Sequence, residues 1–246
     1  MQLQTITTTK PTYKAVKNLL SEGSTNSKTS KNALTTFILY LAPADIIGTH
    51  NLCPFASDGC KSSCLYTAGR GAFSNVQLAR INKTKFWAYN RAAFYIQLAN
   101  EILKIHDNSI KSGEKIAIRL NGTSDVDHLD LLKRYSGINF LDSFYSDLLF
   151  YDYTKNPNHV KKYLNTSYKI TFSRSEINDD QVIDILKNGG NVAIVFKNEL
   201  PATYFGFPVI NGDETDLRYF DPKNVIIGLK AKGKAKKDNS GFVINN

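Results

Sequence analysis

No stretch of this chain approaches the ~18 consecutive apolar residues that a membrane-spanning helix requires, so a membrane role is not expected. Met1–Thr9 is polar and lacks the apolar centre of a secretory leader. Cysteine is nearly absent. Three thiols among 246 residues cannot all pair within one chain, which excludes a disulfide framework. No G-x-G-x-x-G follows the first apolar run, so dinucleotide binding lacks its usual support. No internal repeat stands out, and only the lysine-rich end is low in complexity. These absences predict a domain folded in a reducing compartment, where thiols stay free to bind metal. The length suffices to bury a core without disulfides.

What is present is concentrated. The three cysteines, Cys53, Cys60 and Cys64, lie in the single run Asn51-Leu-Cys-Pro-Phe-Ala-Ser-Asp-Gly-Cys-Lys-Ser-Ser-Cys-Leu65, a C-x6-C-x3-C loop. Three thiolates from one loop can hold three irons of a [4Fe-4S] cluster and leave the fourth open to substrate or cofactor. Zinc is the rival, with His50 completing a Cys3His set, although C-x6-C is long for a zinc knuckle. Three incidental packed cysteines are the bland alternative, and the polar neighbours Ser57, Asp58, Lys61 and Ser63 speak against it.

The net charge of +9 is uneven: +4 over residues 1–36, +4 over 229–246 and only +1 between them. Basic ends suggest contact with polyanions such as nucleic acid; a solvated tail is the plain alternative. The expected organisation is a basic extension and linker over residues 1–35, one domain over 36–233 and a basic tail over 234–246. Ser21–Lys31 reads as a flexible linker. In Gly228–Lys237, glycines interleave with lysines and let a backbone approach phosphate.

Short apolar runs bounded by polar clusters occur at Thr36–Ala42, Lys115–Leu120, Asp147–Tyr153, Tyr168–Phe172, Asn191–Phe196, Phe207–Ile210 and Asn224–Leu229. They read as buried parallel strands. Helices are expected over Val76–Ile105, capped by Ser74 or Asn75, and over Asp127–Tyr135, Asn158–Leu164 and Asp179–Asn188. The alternation predicts an α/β fold, either an incomplete or distorted (β/α) TIM-like barrel with the cysteine loop after its first strand or an open doubly wound sheet. In both, ligands bind beyond the carboxyl ends of the strands.

That edge collects the candidate residues. Asn121, Asp125, Arg174 and Glu176 are the catalytic candidates, with Asp125 and Glu176 the best acid/base pair and Arg174 able to fork onto a carboxylate or phosphate. Arg70, Arg119, Ser124, Lys155 and Lys230 are candidates for holding cofactor or anion. Arg119 alternates with apolar neighbours inside a strand, so it needs a buried anionic partner, for which Asp125 or Asp152 would serve. Arg70 and Arg80 flank the start of the long helix. Polar turn residues are common at strand ends, so the weight comes from the clustering of Asn-Gly-Thr-Ser-Asp and Ser-Arg-Ser-Glu rather than from single residues.

The stretches Cys53–Arg80, Arg119–Asp125, Tyr151–Lys155, Thr171–Glu176 and Val225–Gly233 resemble the phage gene product 88 family. The resemblance implies a phage origin and a three-cysteine loop, and it carries over no activity; with a phage origin, the reducing compartment expected above is the cytoplasm of the infected host cell. A looser similarity is to radical S-adenosylmethionine enzymes, which also set three cysteines after the first strand of a partial barrel. Their loop is C-x3-C-x2-C, so S-adenosylmethionine is a possible rather than an expected cofactor here. The expectation is an iron-sulfur enzyme acting on an anionic small molecule or nucleic acid. The alternative is a nucleic-acid-binding protein with a structural or redox-sensing cluster or zinc.

Overall fold

The computed structural model describes residues 13–23 and 34–246. Its strands are β1 (Leu20–Glu22), β2 (Thr36–Leu39), β3 (Ile116–Arg119), β4 (Leu148–Thr154), β5 (Lys169–Ser173), β6 (Asn191–Phe196), β7 (Thr203–Tyr204), β8 (Phe207–Asn211), β9 (Ile226–Lys230) and β10 (Val243–Ile244). The helices are α1 (Asp58–Ser62), α2 (Ser74–Tyr89), α3 (Arg91–Ser112), α4 (His128–Ser136), α5 (Pro157–Tyr163) and α6 (Asp179–Lys187).

All ten strands form one mostly parallel sheet in the order β1-β2-β3-β4-β5-β6-β9-β8-β7, with β10 also pairing β6. The sheet is open, because its outer strands β1 and β7 do not pair, so the expected barrel does not close. The doubly wound alternative needs correction too. β2 to β6 lie side by side in chain order, so right-handed crossovers send every helix to the same face. The registers Ile118↔Phe150, Thr154↔Phe172 and Phe172↔Val192 make that face continuous. On it, Ile116, Ile118, Leu148 and Phe150 pack with α3 and α4, while Phe172, Val192 and Ile194 pack with α6.

The opposite face carries Ala117, Arg119, Tyr151, Tyr153 and Ala193 in the alternate positions. It is crossed by the β8–β9 connection, whose Leu217 packs on Ala117 and Tyr151. Asp216 of that connection accepts from Arg119 Nη1 (3.0 Å) and Tyr151 Oη (3.0 Å). Arg119 also pairs Asp152 at 3.7 Å, so one of its two expected partners is present and Asp216 is an additional one.

The helix expected over Val76–Ile105 is two helices parted at Asn90, whose φ of −141° and ψ of 63° leave the helical region. Asparagine competes locally for backbone hydrogen bonds and suits such a break. α2 starts at Ser74 and has no side-chain cap. α4 is capped by Asp127 and stopped by Gly137 at φ 76°, a left-handed conformation that glycine adopts without a Cβ clash.

Both basic ends touch the body. Leu19 and Leu20 are buried, and the Glu101 carboxylate accepts from both of their N–H groups at 2.8–2.9 Å. The expected linker Ser21–Lys31 lies outside the described residues from position 24 onward, and Ser21 and Glu22 belong to β1. Residues 234–246 are folded back as well. β10 pairs β6 in parallel where β5 ends, at Val243↔Val195 and Ile244↔Phe196. The described residues contain no helix long and apolar enough to cross a membrane.

Candidate metal centre

The cysteine loop leaves the carboxyl end of β2 and lies over the ends of its neighbours. Leu52, fully buried, anchors it. Leu52 also accepts from the N–H of Asp125 (2.8 Å), which ties the loop to the segment after β3. Cys53 Sγ accepts from the N–H of Ala44 (3.3 Å) and faces Thr123 O at 3.9 Å. Cys60 sits on α1. Ser57 caps that helix by accepting from Cys60 N (3.2 Å) and donates its hydroxyl to Glu176 Oε2 (2.7 Å). Gly59 N donates to Glu176 Oε1 (2.8 Å). Cys64 ends the loop and precedes a 3-10 turn over Leu65–Thr67.

The three cysteines are unpaired and partly exposed. Burial pushes Cys53 up to about 12, against the Ala44 N–H that favours its thiolate; negative charge on Asp125, Cys64 or Cys60 raises it further. Burial also raises Cys60 and Cys64, while Lys155 pulls both back and Arg80 pulls back Cys64. The three sulfurs therefore lie within electrostatic reach of one another and of two cations. Without a metal they are thiols at neutral pH. A bound metal's positive charge is what would deprotonate them.

A mononuclear zinc ion draws its donors to within about 2.3 Å of one point. Among the described residues, no three His, Cys, Asp or Glu side chains converge in that way. His50 in particular packs edge-on against Trp87 (5.8 Å) and Tyr89 (6.4 Å). A cluster makes a different demand, because each thiolate binds its own iron. Soft donors from one loop, mostly withdrawn from water, suit that group by their chemistry.

The other candidates divide by what they touch. Asp125 stands beside Cys53 and Cys60; it accepts from Thr154 Oγ1 (2.5 Å) and Lys155 N (2.8 Å), and burial raises its pKa. Lys155 reaches the same place, with its ammonium 5.2 Å from the Phe242 ring and 3.4 Å from Arg174 O. Asn121 and Ser124 brace their own loop: Asn121 Oδ1 accepts from Ser124 Oγ and Val126 N, both at 2.9 Å.

Arg174 is committed to structure. It grips Asp179 at 2.7 Å and the carbonyls of Gly241 and Phe242. Glu176 is the cap partner of α1. Burial raises its pKa, but hydrogen bonds from its own N–H, Ser57 and Gly59 outweigh that and hold it below the ordinary value. Arg119 belongs to the opposite face, and Arg70 is exposed. Lys230 is exposed at the end of β9, where its N–H donates to Asp213.

Two features were not among the expected site residues. The segment after Asp238 lies against α1: a Cβ placed on Gly59 would come 2.3 Å from Ser240 Oγ and 2.7 Å from Phe242 Cβ. Arg80 of α2, expected only to flank that helix, is 9% exposed and within electrostatic reach of Cys64. No sequence signal marks Gly59 or the later segment as partners, since the contact joins residues about 180 positions apart.

A family model described as Gene product 88 matches residues 13–246. The chain belongs to the gene product 88 family. The match spans the cysteine loop, every strand of the sheet and the segment that packs on Gly59. Neither a curated protein nor a solved structure matches the chain.

Proposed function

We propose that this gene product 88 family member is a phage iron-sulfur protein working in the host cytoplasm, with Cys53, Cys60 and Cys64 holding a [4Fe-4S] cluster. The observation that carries this reading is the placement of the chain's only three thiols. They sit on one loop over the carboxyl ends of parallel strands, largely out of water, with the cations Lys155 and Arg80 nearby. When bound, a cluster ligated by three thiolates supplies one iron free of protein ligand for Lewis-acid or redox chemistry.

The chain's own groups supply the rest of an enzyme's site. Asp125, oriented by Thr154 and the Lys155 N–H and with its pKa raised by burial, is the acid/base group of the site. Lys155 gives the site a positive charge for an anionic substrate, a small molecule or a nucleotide. Asn121, Arg174 and Glu176 act as positioning residues, because their hydrogen-bonding groups already hold the loops that build the site. A second reading, nucleic-acid binding beside a structural cluster, is favoured by Lys234, Lys236 and Lys237. All three are exposed on a 3-10 turn that packs against Leu65–Thr67.

Anaerobic purification with iron and sulfide quantification tests the reading. About four irons per chain, lost in Cys60→Ser, is the expected result. Zinc in place of iron defeats it. A change in the electron paramagnetic resonance spectrum on adding S-adenosylmethionine would assign that cofactor to the open iron.

A further inference from the structure

Arg80 is the one buried arginine of the described residues with no carboxylate within ion-pair distance. Its Nε and Nη1 are buried and have no hydrogen-bond partner. Its guanidinium lies over the rings of Tyr40 (4.6 Å) and Tyr66 (5.6 Å), which accept the cation's charge only weakly. On the remaining side is Gly71, where a Cβ would stand 3.3 Å from Nη1 and 2.8 Å from Tyr66 O. Tyr66, whose ring the guanidinium covers, follows Cys64 by two residues and turns its backbone N–H to the Cys64 sulfur, which brings Arg80 to the Cys64 end of the loop. Burial also disfavours the charged guanidinium. An uncompensated buried cation is costly, and proteins retain such groups where an anion completes them.

We propose that Arg80 is the counter-cation of an anion seated at Cys64, and that on the iron-sulfur reading above this anion is the thiolate-ligated cluster. Three thiolates give a [4Fe-4S] cluster net negative charge, and one-electron reduction adds to it. A fixed positive charge beside Cys64 stabilises the reduced form more than the oxidised form and raises the reduction potential.

Arg80→Met separates this role from a structural one. Methionine keeps the stem and packs well on aromatic rings, and it removes the uncompensated charge. Metal-free Arg80→Met should melt no lower than the metal-free wild type, because replacing buried charge with apolar volume is neutral or stabilising. After anaerobic reconstitution with ferrous iron and sulfide, its cluster should titrate at a more negative potential than the wild type, with Arg80→Lys in between. A metal-free variant that melts lower or fails to fold overturns the proposal, and so does an unchanged potential. A wild type that takes up no iron defeats the iron-sulfur reading alone, and the metal-free melting comparison still decides whether Arg80 awaits an anion.

Discussion

The two ends of the polar apparatus differ in how their charges are answered. On the face that carries no helices, Arg119 meets Asp216 at 3.0 Å and Arg218 meets Asp221 at 3.2 Å, and Arg119 also reaches Asp152 of β4 at 3.7 Å. Tyr151 and Tyr168 donate to these carboxylates as well. Each of these cations has a carboxylate within ion-pair distance, although Arg119 Nε and Arg218 Nε and Nη1 make no hydrogen bond, and the pairs seat the β8–β9 connection on the sheet. At the cysteine loop, Arg80 has no carboxylate and three thiols crowd together. Paired buried charge holds the β8–β9 connection in place, while Arg80, with no carboxylate, is the candidate for a partner from outside the chain.

The largest test of this contrast is on the paired side. Asp216→Asn removes the charge that Arg119 and Tyr151 share, and loss of one partner of a buried pair costs about 3–5 kcal/mol. Denaturant unfolding should show that loss, with iron content per folded chain unchanged. Next comes Gly59→Ala. The added methyl meets Ser240, Glu176 and Phe242 at 2.3–2.7 Å, and overpacking of this kind costs about 1–3 kcal/mol. Since it displaces the cover of α1, iron retention should fall together with the melting temperature; loss of stability with full retention would detach the cover from the site.

A smaller effect is expected for Glu176. Its pKa lies below the ordinary value in the folded protein, so its contribution is complete above that ordinary value and is lost as pH falls through the folded one. Glu176→Gln should cost about 1 kcal/mol at neutral pH and flatten the acid limb of the melting curve; an unchanged acid limb would remove Glu176 as the clasp on α1. The smallest effect on stability belongs to Lys234, Lys236 and Lys237 changed together to alanine, under about 0.5 kcal/mol for surface positions. If that turn contacts single-stranded nucleic acid, the slope of log affinity against log salt should fall by about 2. An unchanged slope would take the lysines out of the binding reading.

The sequence made the long strands legible and the site only half so. All seven apolar runs are strands; the central ones read as continuous apolar segments because they are buried on both faces, while β8 is half exposed along its length. β1, β7 and β10, two or three residues each, are too short to carry a pattern. Whether the sheet closes depends on twist and edge pairing, which no single segment records. The cysteines were visible as candidate ligands, and Asp125 and Lys155 were visible as strand-end polar residues that do reach the loop. Arg174 and Glu176 stood out too, but their partners lie 67 and 119 residues away at Gly241 and Ser57. Arg80 reads as an ordinary polar position of a helix, since the lack of a partner is a property of the folded protein alone.

The contact between Gly59 and Ser240 also sets an order of events during synthesis. The ribosome makes the cysteine loop about 180 residues before the segment that covers it, an interval of ~10–40 s at usual elongation rates. Throughout that time the three thiols are on a nascent chain with no lid. On the iron-sulfur proposal, that interval is the window for loading the loop during translation, and slowing elongation beyond residue 64 should raise the iron content per chain.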